Sequence, residues 1–293
     1  MKYAEKFEIY RAAIEKELEG AIVCAEEKCE GLAEAMRYSL LAGGKRIRAA
    51  LTLEFCDIYG GDWTRALKSA AAIEMIHAYS LIHDDLPCMD DDDFRRGRPS
   101  CHKKYGEAQA LLAGDALLTY AFEYIAKSEG VDAEKLIRVV RETAALAGYE
   151  GMAGGQYIDL GSEGKDIDEY TLKTMHRLKT GAMIRLSGRC GAIIGGAGEE
   201  GINDADKYCA KIGLAFQITD DILDIIGDEK LLGKPVQSDK DNDKKTYASM
   251  YGIEKAQKMA EELFSEAREC IEKIAPKDDF LSGLTDFLES RKM

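Results

Sequence analysis

Two groups of aspartates dominate the chain: Asp84 and Asp85 with Asp90, Asp91, Asp92 and Asp93 in HDDLPCMDDDD, and Asp220, Asp221 and Asp224 in FQITDDILD. An Asp run is commonly a solvated surface, yet both groups adjoin strongly apolar segments (AAAIEMIHAYSLI and CAKIGLAFQI). Carboxylates are seldom buried unless paired or bound to a cation. Asp220 and Asp224 lie roughly 40° apart round a helix, so with Asp221 they line one broad face. Asp84 and Asp90 would stand roughly 120° apart on an ideal helix. Pro87 lets the chain bulge at residues 86–88 and bring Asp90 back beside Asp84. Neither group has the alternating spacing, central Gly and closing Glu of an EF-hand, so a hard ion such as Mg²⁺, sharing its shell with water and phosphate, is the expected occupant.

A phosphate ligand needs cations, and the chain supplies them close by: Lys45, Arg46 and Arg48 in GGKRIR; Arg95, Arg96 and Arg98 just past the first Asp group; Lys179 in KTG; Lys234 in GKP; Lys244 and Lys245. Alone, each would be read as solvated surface. Arg95 and Arg96 follow the carboxylates directly, which suits guanidinium forks on phosphate oxygens that also meet a metal. His77 and His83 lie on the apolar segment before Asp84, where an imidazole is more often a hydrogen-bonded core group than a base.

These groups must be held by helices. The 293 residues contain four prolines, and long stretches of Ala, Leu, Glu, Lys, Ile and Met favour helix nearly everywhere. Residues 2–28 carry Phe7, Ile14, Leu18 and Ile22 at helical spacing, predicting an amphipathic helix against a core. Residues 66–86 and 108–124 are apolar on most faces and should be central. The expected fold is all-α, a single-domain antiparallel helical bundle over residues 1–293 with a central cavity. The polar, Gly- and Pro-punctuated stretch 227–245 is long for a bundle connection and reads as a mobile lid.

A formal charge of -14 excludes an ordinary nucleic-acid binder or a polybasic membrane-surface protein. The first thirty residues lack the apolar core of a secretory signal, and the longest uncharged stretch, 190–198, is too short to span a bilayer, so a cytoplasmic protein without stable membrane insertion is expected. Eight cysteines without any CxxC read as reduced, mostly buried thiols.

Taken together, GGKRIR, DDLPCMD, RRGRP, GGQYIDL, KTG and FQITDDILD, in this order from about residue 41 to residue 247, resemble the trans-prenyl diphosphate synthases, most closely the bacterial short-chain farnesyl diphosphate synthase (geranyltranstransferase) branch. The resemblance implies the prenyl synthase type of all-α fold, a homodimer and three Mg²⁺ ions per site. It assigns Asp84 and Asp90, supported by Asp85, to two ions and Asp220 to the third, with Asp221 and Asp224 near its water shell. Arg95, Lys179, Lys234 and Lys244 match holders of an allylic diphosphate, with Thr180 and Gln217 beside the developing cation. Lys45, Arg48, His77 and Arg96 match the isopentenyl diphosphate site.

The implied reaction ionises an allylic diphosphate (dimethylallyl or geranyl), lets isopentenyl diphosphate attack the cation head-to-tail, and returns the lost proton to the released diphosphate. Such chemistry needs charge stabilisation and a dry cavity but no nucleophilic side chain. Tyr79 and Ser80, five and four positions before Asp84, mark the expected chain-length floor. Tyr79 is taken to lie a little over one turn deeper on nearly the same face, and its bulk implies a farnesyl product; geranylgeranyl and geranyl are the alternatives. A class I terpene cyclase would have no second diphosphate site, and a non-catalytic subunit should have lost carboxylates. Three departures stand out: Ala49 where the family commonly has Pro, Gln237 where it has Gly, and a tail in which Arg291 and Lys292 resemble the family's basic end.

Overall fold

The computed structural model describes residues 1–226 and 245–290. Helices run in chain order as α1 (Tyr3–Ala21), α2 (Glu30–Leu40), α3 (Ile47–Ile58), α4 (Leu67–Asp84), α5 (Cys101–Tyr105), α6 (Glu107–Ala126), α7 (Ala133–Ala147), α8 (Met152–Ser162), α9 (Glu169–His176), α10 (Ala182–Gly195), α11 (Glu199–Ile226), α12 (Tyr247–Tyr251), α13 (Ile253–Ile274) and α14 (Asp279–Ser290). Among the described residues, the strands are one two-residue pair, β1 (Phe94–Arg95) and β2 (Arg98–Pro99). The all-α expectation holds.

The centre is built where sequence is apolar all round. Helix α4 buries residues on every face, among them Ala71, Ile73, Met75, Ile76, Tyr79 and Ile82. It packs along α6 on one side and α3 on the other, while α3 lies along α10. The uncharged stretch from Cys190 is the second half of α10, and its glycines set the approach. A Cβ on Gly191 would sit 2.3 Å from the Thr52 carbonyl oxygen of α3, so the two backbones meet only because that atom is missing.

Two helical expectations need correction. The first helix ends at Ala21, not near residue 28, because the chain turns extended at Ile22 and the Ile22 carbonyl accepts from Arg37 Nη1 (3.1 Å) instead of continuing a helix. Its buried stripe, Tyr10, Ile14, Leu18 and Ala21, has the expected spacing. Helix α6 is less central than its composition indicates: Ala110, Ala113, Leu117 and Ala121 face the core, but Leu111 and Leu112 are exposed. The thiols also divide. Cys56, Cys101, Cys190 and Cys209 are buried, Cys24 and Cys270 half-buried, Cys29 and Cys88 exposed, and all eight are free.

Candidate active site

The first aspartate group closes as the Pro87 argument requires. Helix α4 ends at Asp84, and the chain loops so that the Asp90 N–H donates to the Asp84 carbonyl (2.9 Å), with the Met89 and Asp91 N–H groups turned onto the Leu86 carbonyl (2.8 and 3.2 Å). The two acids thereby share one end of α4. Burial, with Asp90 adding to it, pushes the Asp84 carboxyl up to about 6 even though Lys179 works the other way. Asp85, buried at the helix end, is likewise raised by burial and opposed by Arg95.

The neighbours Arg95 and Arg96 are separated by their turn. Strand β1 pairs with β2 in the register Phe94 to Pro99 and Arg95 to Arg98, leaving Arg96 and Gly97 as the two central residues, both at positive φ (55° and 73°). This is the turn chemistry of a tight two-residue hairpin. Arg95 therefore reaches Asp85 (Nε to Oδ1, 2.9 Å) and Asp92 (2.9 Å), while the Arg96 guanidinium lies over the backbone of Gly44. Among the described residues, the non-glycines at positive φ are Arg46, Asp91 and Arg96. All three sit in loops around the site, each at a cost of about 1–3 kcal/mol that the surroundings offset.

Lys179 and Thr180 sit in a π-helical turn, Arg177–Gly181, a wide-turn geometry that recurs at functional sites. Helix α8 backs this turn closely enough that a Cβ on Gly155 would fall 2.1 Å from the Lys179 backbone nitrogen. One helical turn on, buried Asp159 holds Lys179 Nζ at 2.5 Å. Thr180 Oγ1 donates to Gln217 Oε1 (2.8 Å) on α11, and Gln217 Nε2 donates to Asp221 Oδ1 (2.9 Å).

These elements enclose a cavity of about 320 Å³. Its polar lining is Arg48, His77, Asp84, Lys179, Thr180 and Gln156, and its apolar lining is Tyr79, Leu81, Met89, Met152, Ala153 and Met183, with Ser80 and His83 at the α4 wall. Tyr79 stands roughly 140° round an ideal helix from Asp84, not on nearly the same face. It reaches the same cavity because the cavity wraps the end of α4, and its ring stands edge-on to His83 (5.7 Å). A narrower slot of about 30 Å³ lies between His77, Arg46, Arg96, Asp85 and Arg95.

The cations fall into two kinds. Arg46, grouped from sequence with the phosphate candidates, is a buried framework residue bonded to Glu15 (2.8 and 3.3 Å), Glu74 (3.1 Å) and the Leu40 carbonyl (3.0 Å). Arg48, in the first turn of α3, has an Nε sealed from solvent with no hydrogen-bond partner. Burial lowers its pKa against the attraction of Glu74 and Asp220, so it is a cation placed to receive an anion from the cavity. Desolvation, then Arg48, Arg96, Arg46 and Arg95, hold His77 well below its ordinary value, and it is neutral at pH 7. Lys45 is exposed at the mouth of the loop before α3.

On α11, Asp221 and Asp224 are buried and Asp220 is half-buried, its charge felt by Arg48. Among the described residues no three His, Cys, Asp or Glu groups close into a ready metal site. The donor set still fits Mg²⁺: carboxylate oxygens only, with Asp90 raising Asp84 at the end of α4 and the cations Arg48 and Lys179 lining the same cavity as Asp84. Lys234, Lys244, Gln237, Arg291, Lys292 and most of the expected lid lie outside the described residues. Lys245 pairs with Asp166 (2.8 Å).

GGQYIDL carries no role that residue type alone assigns. The structure gives it three: Gly155 admits the π-turn, Gln156 presents to the cavity an amide whose Nε2 is buried without a partner, and Asp159 holds Lys179. The four-residue step from Gly155 to Asp159 was the available signal.

Known proteins share sequence and fold with this chain. The Polyprenyl synthetase family model matches residues 29–277. A farnesyl diphosphate synthase of Geobacillus stearothermophilus is 50% identical over 232 residues (78% of this chain, 78% of that protein), and a chloroplastic geranylgeranyl pyrophosphate synthase of Catharanthus roseus is 46% identical over 267 residues (90% and 74%). The crystal structure of an FPP/GFPP synthase from Zymomonas mobilis superposes with a TM-score of 0.88 at 35% identity, covering 98% of each chain. With the family model matching most of its length and its fold shared with a solved relative, the chain belongs to the polyprenyl synthetase family.

Proposed function

We propose that this prenyltransferase condenses isopentenyl diphosphate with dimethylallyl and then geranyl diphosphate to give farnesyl diphosphate. The observation that carries this reading is the cavity itself, with Asp84, Lys179 and Arg48 at its polar end and the Tyr79 ring in its apolar wall. Mg²⁺, three ions held by Asp84, Asp90 and Asp220, would neutralise the leaving diphosphate and so ease its departure.

The chain's own groups do the rest. Lys179 and Arg95, each held at rest by a carboxylate, are placed to exchange Asp159 and Asp85 for the oxygens of the allylic diphosphate. Met89, Met152 and Met183 would exclude water from the allylic cation, and the Thr180 hydroxyl, which lines the cavity and is held by Gln217, would lie next to its head. Lys45, Arg48, Arg96 and neutral His77 receive isopentenyl diphosphate, His77 as a hydrogen-bonding group and not as a base. The proton lost from the new chain goes to the released diphosphate. Lys234 and Lys244 belong with the allylic set by motif.

Tyr79 supports a fifteen-carbon product, since its ring lines the cavity that Asp84 also lines and would block a tail growing there. A geranylgeranyl product is the second reading, favoured by the likeness to the Catharanthus roseus enzyme. We further read the protein as a cytoplasmic homodimer; among the described residues no helix is long and apolar enough to cross a membrane. Incubation with Mg²⁺, isopentenyl diphosphate and dimethylallyl, geranyl or farnesyl diphosphate, followed by sizing of the hydrolysed alcohols, tests the assignment. It predicts fifteen carbons from the first two primers and little extension of the third; a dominant twenty-carbon product from all three would select the second reading.

A further inference from the structure

We propose that Asp221, the second acid of the TDDILD motif, is a positioning residue that ties the cavity wall to the segment entering α12, distinct in role from its neighbour Asp220. The inference rests on the prenyltransferase reading of the site. Asp221 is 2% exposed, and both of its oxygens meet protein donors: Oδ1 accepts from Gln217 Nε2 and Oδ2 from the Tyr247 backbone N–H, each at 2.9 Å. On one side the chain of bonds continues through Gln217 Oε1 to the Thr180 hydroxyl, next to Lys179 in the π-turn. On the other it holds the first residue of α12, whose N-terminus is fixed by the Thr246 and Ser249 capping box. The Tyr247 ring lies beside His176 (5.3 Å), the last residue before the π-turn, so the loop of contacts closes on itself. Buried networks of this kind hold the groups at their ends in one arrangement.

The chemistry of the amide makes the two roles separable. In Asp221→Asn, the new Oδ1 can accept from Tyr247 and the new Nδ2 can donate to Gln217 Oε1. Gln217 Nε2 then turns to the Thr180 oxygen, so each of these three bonds is replaced while the charge is lost. Asp221→Ala cuts both arms, and Asp220→Asn removes an acid assigned to the metal. Steady-state kinetics with geranyl and isopentenyl diphosphates, Mg²⁺ titrations of activity, and calorimetry of Mg²⁺ with inorganic pyrophosphate compare the three.

Positioning predicts that Asp221→Asn keeps kcat within about threefold of wild type with an unchanged Mg²⁺ midpoint. Asp221→Ala should raise KM for geranyl diphosphate roughly 10-fold or more, the scale of lost supporting contacts. Asp220→Asn should weaken Mg²⁺ and pyrophosphate binding. The proposal is overturned if Asp221→Asn loses turnover and metal-pyrophosphate binding as fully as Asp220→Asn. That comparison also decides if Asp221→Ala does not fold. A wild-type protein that makes no product would overturn the prenyltransferase reading instead, and the pyrophosphate titration would still decide on Asp221.

Discussion

Asp84 is raised by burial and by Asp90 and lines the same cavity as Lys179, where the proposed reaction would gather negative charge as an allylic C–O bond breaks. Asp84→Ala or Asp220→Ala should lower condensation by about 10²–10³-fold or more at saturating Mg²⁺, with the thermal midpoint nearly unchanged; near-normal turnover in either would remove the carboxylates from the mechanism. The hairpin that turns Arg96 away from Arg95 leads to a sharper expectation. Arg96→Ala should raise KM for isopentenyl diphosphate roughly 10-fold more than KM for geranyl diphosphate, and equal losses would show that the two sides are assigned wrongly. Tyr79→Ala should open the apolar wall and move the main product to about twenty carbons with little loss of the first condensation, because truncation acts on the tail and not on the diphosphate end. Unchanged product length would place the floor elsewhere. The two carboxylate groups could be picked out from type and spacing because their chemistry is local, whereas spacing set Tyr79 on the Asp84 face and an ideal helix puts it roughly 140° away. Arg46 was not legible, since its partners Glu15 and Glu74 lie 31 and 28 positions away, and no spacing rule reveals which cation a fold has already neutralised.

Helices that frame the site carry charge of their own, and α3 does so at Glu54. This carboxyl is fully buried against Lys6 of α1 (2.8 Å); burial, then Asp278, push it up to about 8, against the pull of Lys6. Between the unfolded value of about 4.3 and the folded value, the folded chain keeps a proton that the unfolded chain releases, so stability falls as pH rises through that window and levels off above it. Thermal melting at pH 5, 6, 7 and 8 should show this decline, and Glu54→Gln should remove most of it while raising the midpoint at pH 8 by about 2 °C or more. Parallel slopes in the two proteins would mean that Glu54 does not titrate in this range. Element identity was plain in the sequence for α4, whose residues are apolar all round. It misled at α6, because an Ala- and Leu-rich helix has the same composition whether its second face meets a core or lies exposed, as Leu111 and Leu112 do. The clasp between Lys179 and Asp159 was hidden for a related reason: it joins two helices across 20 positions.

At the scale of the whole molecule, the exposed leucines of α6 bear on assembly. Adjacent exposed apolar side chains are the kind of surface a second copy covers, so the proposed homodimer should sediment at twice the chain mass at micromolar concentration, and Leu112→Arg should shift it toward monomer. A wild-type chain that sediments only as a monomer would reject the dimer. The charge of -14 makes a further demand on the molecule, since an acidic protein that binds two diphosphates must gather its cations locally. The structure does so in the loops around α3 and α4, the hairpin and the π-turn. What this arrangement is for can be read most directly from diphosphate release by the wild-type protein given geranyl diphosphate and Mg²⁺, with and without isopentenyl diphosphate. The account predicts release that requires the second substrate and matches the farnesyl product one for one. Equal release from geranyl diphosphate alone, with a cyclised or hydrolysed ten-carbon product, would contradict it.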